Sequence, residues 1–291
     1  MADVLVLLPP SEGKTRPDGG DPVDLAALGS GSLTAHRVAV LDALAKVSGH
    51  PDALRTLGVG PSLTAEVERN TLLRTEPAAA ATEVYSGVLY AAAGLALLPD
   101  DAARARADRS IRIISALWGV VEPADRIPAY RLSMATDLPG VGPLARSWRA
   151  LLALELDPRA ADELIIDCRS ASYVAAWRPP AGSPGWVTVR VLRELDGRRT
   201  VVSHNAKHTR GVLTRHLLVR PGPEPTDPDE LLEAARELIQ GTRARRRPPR
   251  RALGSVQQPV QRPAAPHVPR VLDAELGPPG NGPRVLTLTV T

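Results

Sequence analysis

The chain has no phenylalanine, a single cysteine, two methionines and only three lysines among its 36 basic residues. One cysteine excludes a disulfide framework within the chain, and it excludes a zinc site built from several cysteines. Cys168 lies in the apolar run LIIDCR and reads as a small core residue. No run of 18 apolar residues exists, which excludes a transmembrane helix. The start, MADVLVLLPP, lacks the basic region and long apolar stretch of a signal peptide. A cytoplasmic, monomeric protein that does not engage membranes is expected. Hydrophobic residues make up 43% of the 291-residue chain, enough for a sizeable buried core.

The scarcity of lysine makes each survivor informative. Lysine is a compact point charge that can lose its proton when desolvated; arginine is a planar fork that cannot. Lys14 follows a hydrophobic strand in LPPSEGKT, and Lys207 follows another in VVSHNAKHTRG. Strand ends are where α/β proteins place ligands. Lys46 falls on a helix with no motif around it and reads as a surface residue. The plainer alternative is chance retention of three lysines on the surface.

The net charge of +4 argues only weakly for nucleic acid. Its distribution says more. The segment 243–251, RARRRPPRR, carries no acid, and by formal count the rest of the chain is slightly acidic. A nucleic-acid site elsewhere has to be local.

Hydrophobic patterning alternates strands with helices, as in an α/β protein whose mixed sheet is flanked by helices. Residues 3–8 read as a buried strand ended by Pro9 and Pro10, 16–31 as a loop and 33–47 as an amphipathic helix. An exposed helix over 99–109 feeds a strand at 112–115. Residues 145–156 read as a helix, 164–169 as a buried strand and 172–177 as a short helix. Over 186–206, two strands flank Asp196-Gly197, a dipeptide suited to a tight hairpin. Helices are expected over 208–219 and from Pro228 to about Gln240, the second capped by Asp227. Residues 1–240 form the expected main domain. The Arg- and Pro-rich stretch 241–270 reads as a disordered insertion. Residues 271–291 read as a terminal β-hairpin returning to the main domain; the alternative is that everything past 241 hangs free.

Four motifs bear on chemistry. In LPPSEGKT, Gly13-Lys14-Thr15 resembles the end of a phosphate loop, but Leu8 stands where that motif needs glycine. What remains is a donor-rich cluster of Ser11, Lys14 and Thr15 able to hold an anion. HPDALRTLGVGPSLTAEV, with Gly58-Val59-Gly60, has the helix-hairpin-helix pattern, in which backbone N–H groups hold a DNA phosphate. LPGVGPLARSW at 138–148 matches the same short pattern, a warning of how common it is. His204, His208 and His216 have spacings that suggest a metal site, but His204 falls in the predicted strand and no nearby carboxylate completes a set. No metal and no cofactor are expected. The segment 114–134, ISALWGVVEPADRIPAYRLSM, is the densest in chemistry, with Ser115, Asp125, Tyr130 and Arg131 set among prolines and a glycine. The bland reading is that Trp118 and Tyr130 pack and that Asp125 and Arg131 form an internal ion pair.

LPPSEGKT, VYSGVLY at 84–90, the 114–134 segment and VVSHNAKHTRGVLTR at 201–215 together resemble the YaaA family of peroxide-stress proteins. IIDCRSASYVAAW at 165–177 is a weaker fifth block. The resemblance spans roughly residues 1–240. In the third block the family pattern is matched by Trp118, Gly119, Val120, Pro123, Asp125, Pro128, Tyr130, Arg131, Leu132 and Met134. The resemblance implies an α/β body with a positively charged cleft and a helix-hairpin-helix-like element. It also implies a part in lowering free iron during peroxide stress and a preference for duplex or branched DNA, with no established catalytic mechanism. The insertion at 241–270 departs from the family pattern.

Two functions follow from these readings. The first is a stress protein that binds DNA by its phosphates. Its cleft is lined by Ser11, Lys14, Thr15, Arg131, Lys207 and Arg210, with Gly58 and Gly60 presenting a helix N-terminus. The second is an enzyme acting on a small anionic ligand, phosphorylated or nucleobase-containing. Its candidate catalytic residues are Lys14, Ser115, Asp125, Tyr130 and Lys207, the lysines retained because an amine must deprotonate. Whether the chain is an enzyme is left open by the sequence.

Overall fold

The computed structural model describes residues 4–183, 185–201, 203–244, 269–280 and 282–291. Eight strands form one mixed sheet: β1 (Val4–Leu8), β2 (Ile111–Ser115), β3 (Gly119–Val121), β4 (Leu164–Asp167), β5 (Trp186–Leu195), β6 (Arg198–Val201), β7 (Val271–Leu276) and β8 (Arg284–Val290). The principal helices are α1 (Thr34–Ser48), α2 (Ala53–Leu57), α3 (Thr64–Arg69), α4 (Val88–Ala93), α5 (Asp101–Ser110), α6 (Leu144–Asp162), α7 (Ser203–Val219) and α8 (Pro228–Ala244).

The strand order is β7-β8-β5-β4-β1-β2-β3, with β6 paired to the far end of β5. The five inner strands run parallel, β1 pairing with β2 on one side and β4 on the other. The edge strands β3 and β7 are antiparallel. All five residues of β1 are buried, which is why VLVLL is a continuous apolar run instead of an alternating one. The α/β expectation therefore holds, and no described helix is long and apolar enough to cross a membrane.

Local chemistry explains the element ends. Asp196 and Gly197 both take positive φ, 50° and 73°, as the β5–β6 hairpin turn requires. Asp227 Oδ1 accepts the amides of Asp229 and Glu230, capping α8. Helix α7 crosses α4 at Gly211, where a Cβ would collide with the Leu89 carbonyl. This close approach fixes the turn of α7 that carries Lys207 and Arg210.

Several expectations need correction. The strand after the hairpin stops at Val201, and α7 begins at Ser203, so His204 belongs to a helix. The β-branched run TVV had masked the helix start. Helix α6 continues through Pro158 to Asp162, because Leu156 and Ala160 remain buried and Trp177 Nε1 donates to Asp157 at 2.8 Å. Gly140 and Gly142 form a small hairpin, with Asp137–Leu138 pairing with Gly142–Pro143, and so are no helix-hairpin-helix. Strand β8 pairs in parallel with β5 over Arg284–Val290, setting the terminal hairpin against the sheet. Most of the expected 241–270 insertion lies outside the described residues.

Candidate functional site

Strand β1 has its chain successor β2 on one side and β4 on the other, so the winding of the sheet reverses between β1 and β4. The loops leaving the carboxyl ends of these two strands diverge, and a crevice opens between them. A cavity of about 480 Å³ lies there. One wall is the Pro9–Gly13 loop after β1, and another is Ser170, Ser172 and Tyr173 after β4. Leu57, Gly58 and Val59 close a third side, with Ser86–Tyr90 at the start of α4. Arg131–Ser133 and the α7 residues Lys207 and Arg210 complete it.

Three cations line this space. Arg131 Nη1 donates to the Glu12 carbonyl at 3.0 Å and lies 3.8 Å from the Glu66 carboxylate. Arg210 donates twice to the Val189 carbonyl, at 3.1 and 2.7 Å. Lys207, 54% exposed, stands 3.8 Å from the Glu12 carboxylate. Glu12 thus meets both sides of the cleft, its carbonyl on Arg131 and its carboxylate on Lys207.

Lys14 lies behind the wall. It forms a bridge with Tyr85, and its Nζ donates to the Ser11 carbonyl at 2.8 Å. The ammonium sits 4.1 Å from the centre of the Tyr130 ring and 5.6 Å from that of Tyr85. Burial, reinforced by the charge of Arg131, lowers its pKa to about 7; Glu66 and Glu12 oppose the shift.

Beneath it runs a buried chain of hydroxyls. Ser115 Oγ accepts the amides of Leu117 and Trp118 at 3.2 and 3.0 Å, so its own hydrogen is left to point at the Tyr130 hydroxyl, 2.7 Å away. The Tyr130 and Tyr85 hydroxyls share a further hydrogen bond at 3.0 Å. Burial raises both phenols well above the usual tyrosine range, which keeps them neutral. The chain fixes the ring that Lys14 packs on.

The sequence-predicted residues therefore divide. Ser11, Gly58, Arg131, Lys207 and Arg210 share the cavity, whereas Lys14 stands one layer back and Ser115 and Tyr130 are deeper still. Thr15 and Gly60 are not part of its wall. Gly58 ends α2 with φ 65°, but Gly60 opens only a short 3-10 turn followed by the six residues of α3. That is too little helix for a strong dipole. Asp125 sits elsewhere: its two carboxylate oxygens accept the amides of Gly29 and Glu122 at 2.9 and 2.8 Å. It makes a loop clamp, and the ion pair with Arg131 is not formed. His216 bonds Glu237 at 2.9 Å. Among the described residues no group of three or more His, Cys, Asp or Glu is placed to hold a metal. Sequence reasoning missed Glu12, Ser133, Ser170, Ser172 and Tyr173. The serines and Tyr173 lie in or beside the quoted blocks, but nothing local distinguishes them until β4 is set beside β1.

Fold and site together define an α/β protein with an anion-suited crevice at the reversal point of its sheet. A family model described as "Peroxide stress protein YaaA" matches residues 4–237. The chain belongs to that family. It is 46% identical over 238 residues to a UPF0246 protein of Streptomyces coelicolor, covering 81% of this chain and 90% of the relative. A UPF0246 protein of Corynebacterium efficiens is 42% identical over 236 residues, covering 80% and 92%. One of Corynebacterium glutamicum is 39% identical over 217 residues, covering 74% and 84%.

Proposed function

We propose that this peroxide-stress family member acts in the cytoplasm by binding DNA through its phosphates in the crevice. Its effect on iron-driven damage is then indirect, exerted at the DNA and not by holding iron. The observation that carries the reading is the meeting of Arg131, Lys207 and Arg210 around one cavity that also has the Gly58 turn in its wall. A Cβ at Gly58 would meet nothing within 4 Å, so this wall leaves room for a phosphate oxygen. The contacts expected are to the backbone, and bases in a duplex are not read. Replacing Lys207 or Arg131 with glutamine should weaken duplex or branched DNA binding similarly across sequences. Unchanged affinity in both variants contradicts the reading.

One observation favours a second reading, an enzyme acting on a small phosphorylated or nucleobase-containing substrate. An amine with a pKa of about 7, one layer behind Ser11, is poorly suited to holding a phosphate by charge but well suited to proton transfer or nucleophilic attack. Lys14→Arg and Lys207→Arg separate the two. Retained DNA binding with loss of peroxide resistance in cells favours the enzyme, and parallel loss of both favours the binding crevice.

A further inference from the structure

We propose that the cavity receives a single nucleotide swung out of bound DNA, so that the protein recognises a weakened base pair by capturing one of its members. The inference rests on the DNA-binding reading and names what enters the cavity.

A space of about 480 Å³ has the capacity of a small-molecule pocket and cannot admit a duplex, which would span its mouth. If the surrounding cations hold DNA phosphates, the volume below them is left for something smaller that stays tethered to that backbone. A nucleotide rotated out of the stack meets this description.

The lining has the matching chemistry. Its charge is confined to Arg131, Lys207, Arg210 and Glu12. The remaining lining combines apolar surface, such as Pro9 and Leu132, with hydroxyls. Ser133, Ser170 and Ser172 come from the Arg131 segment and the loop after β4, and Ser170 Oγ lies 3.3 Å from Ser172 Oγ. A base needs apolar contact for its faces and hydrogen-bonding groups for its edge. A serine hydroxyl both donates and accepts, so it can serve any base. Tyr90 and Tyr173 complete the lining as neutral rings: Tyr90 donates to the Pro9 carbonyl at 2.8 Å, and burial pushes the Tyr173 phenol up to about 12. Such a lining selects for ease of extrusion more than for base identity.

The test measures the affinity of the full chain for two end-labelled duplexes, one fully paired and one with a central mismatch, by fluorescence anisotropy. Extrusion costs less at the mismatch, so at least tenfold tighter binding to that duplex is expected. Filling the cavity with Ser172→Trp, or independently with Ser133→Trp, should bring the ratio of the two affinities towards one. Equal binding of both duplexes by the unaltered protein overturns the capture of a nucleotide while leaving DNA binding intact. Binding to neither duplex overturns both. Tight binding of a free deoxynucleoside monophosphate, without preference between the duplexes, assigns the cavity to a small substrate and also overturns the proposal.

Discussion

The Lys14 ammonium stands 4.1 Å from the centre of the Tyr130 ring, and the Tyr130 hydroxyl is fixed from its other side by Ser115 at 2.7 Å. The amine most distinctive in the sequence is therefore seated on an aromatic ring that the most distinctive segment holds in place.

With only three lysines, this seat can be read directly. In protein labelled at lysine 13Cε, one of three NMR signals should titrate with a midpoint near pH 7 and disappear in Lys14→Arg. A depressed lysine pKa also has a definite linkage sign. Between about pH 7 and the ordinary value of 10.5, the unfolded chain binds more protons at this site than the folded one, so stability rises with pH across that window. The stability difference between Lys14→Met and the unaltered protein should change across the same window, with the variant relatively most favoured below pH 7. A flat difference contradicts the buried amine.

Tyr130→Phe removes the central hydroxyl of the Ser115–Tyr130–Tyr85 chain and leaves two buried groups short of a partner. A loss of about 1–3 kcal/mol in chemical denaturation is expected. Ser115→Ala should cost a similar amount, since the Leu117 and Trp118 amides lose their acceptor. No loss in either variant would show that the hydroxyls are not coupled.

Much of this was legible in the sequence. The buried strand VLVLL, the Asp196-Gly197 turn and the Asp227 cap depend on local residues, and each forms where the pattern places it. The crevice was legible only in its parts. Lys207 and Arg210 ride on a helix that starts earlier than its β-branched prefix suggests, and their direction depends on the contact of Gly211 with Leu89. The burial of Lys14 depends on Tyr85 and Tyr130, about 70 and 115 residues away in the chain, so no window around LPPSEGKT contains it. Asp125 looked chemical because carboxylates usually are; its partners are two backbone amides that only the folded loop supplies.

Glu12 competes with any anion for Lys207, its carboxylate lying 3.8 Å away and largely exposed. Glu12→Gln removes that competitor but keeps the backbone carbonyl that Arg131 uses. DNA affinity should rise several-fold at low salt, with the gain shrinking as salt screens the lost repulsion. A weaker complex would mean that Glu12 serves the ligand instead of opposing it.

Cys168 is fully buried, and its surroundings push the thiol up to about 12, so it carries almost no thiolate at neutral pH. The native protein should resist alkylation and show no sulfenic acid after peroxide treatment, while denatured protein reacts readily. Prompt modification of the native chain would make this cysteine a peroxide sensor and would move the account away from the crevice.

If Arg131, Lys207 and Arg210 bind DNA phosphates as proposed, affinity must fall as salt rises. Each neutralised phosphate contributes about −0.9 to the slope of log affinity against log salt, so three contacts give a slope of about −2.7. Lys207→Gln should make that slope shallower by about 0.9. A slope near zero, or one that Lys207→Gln leaves unchanged, contradicts the account.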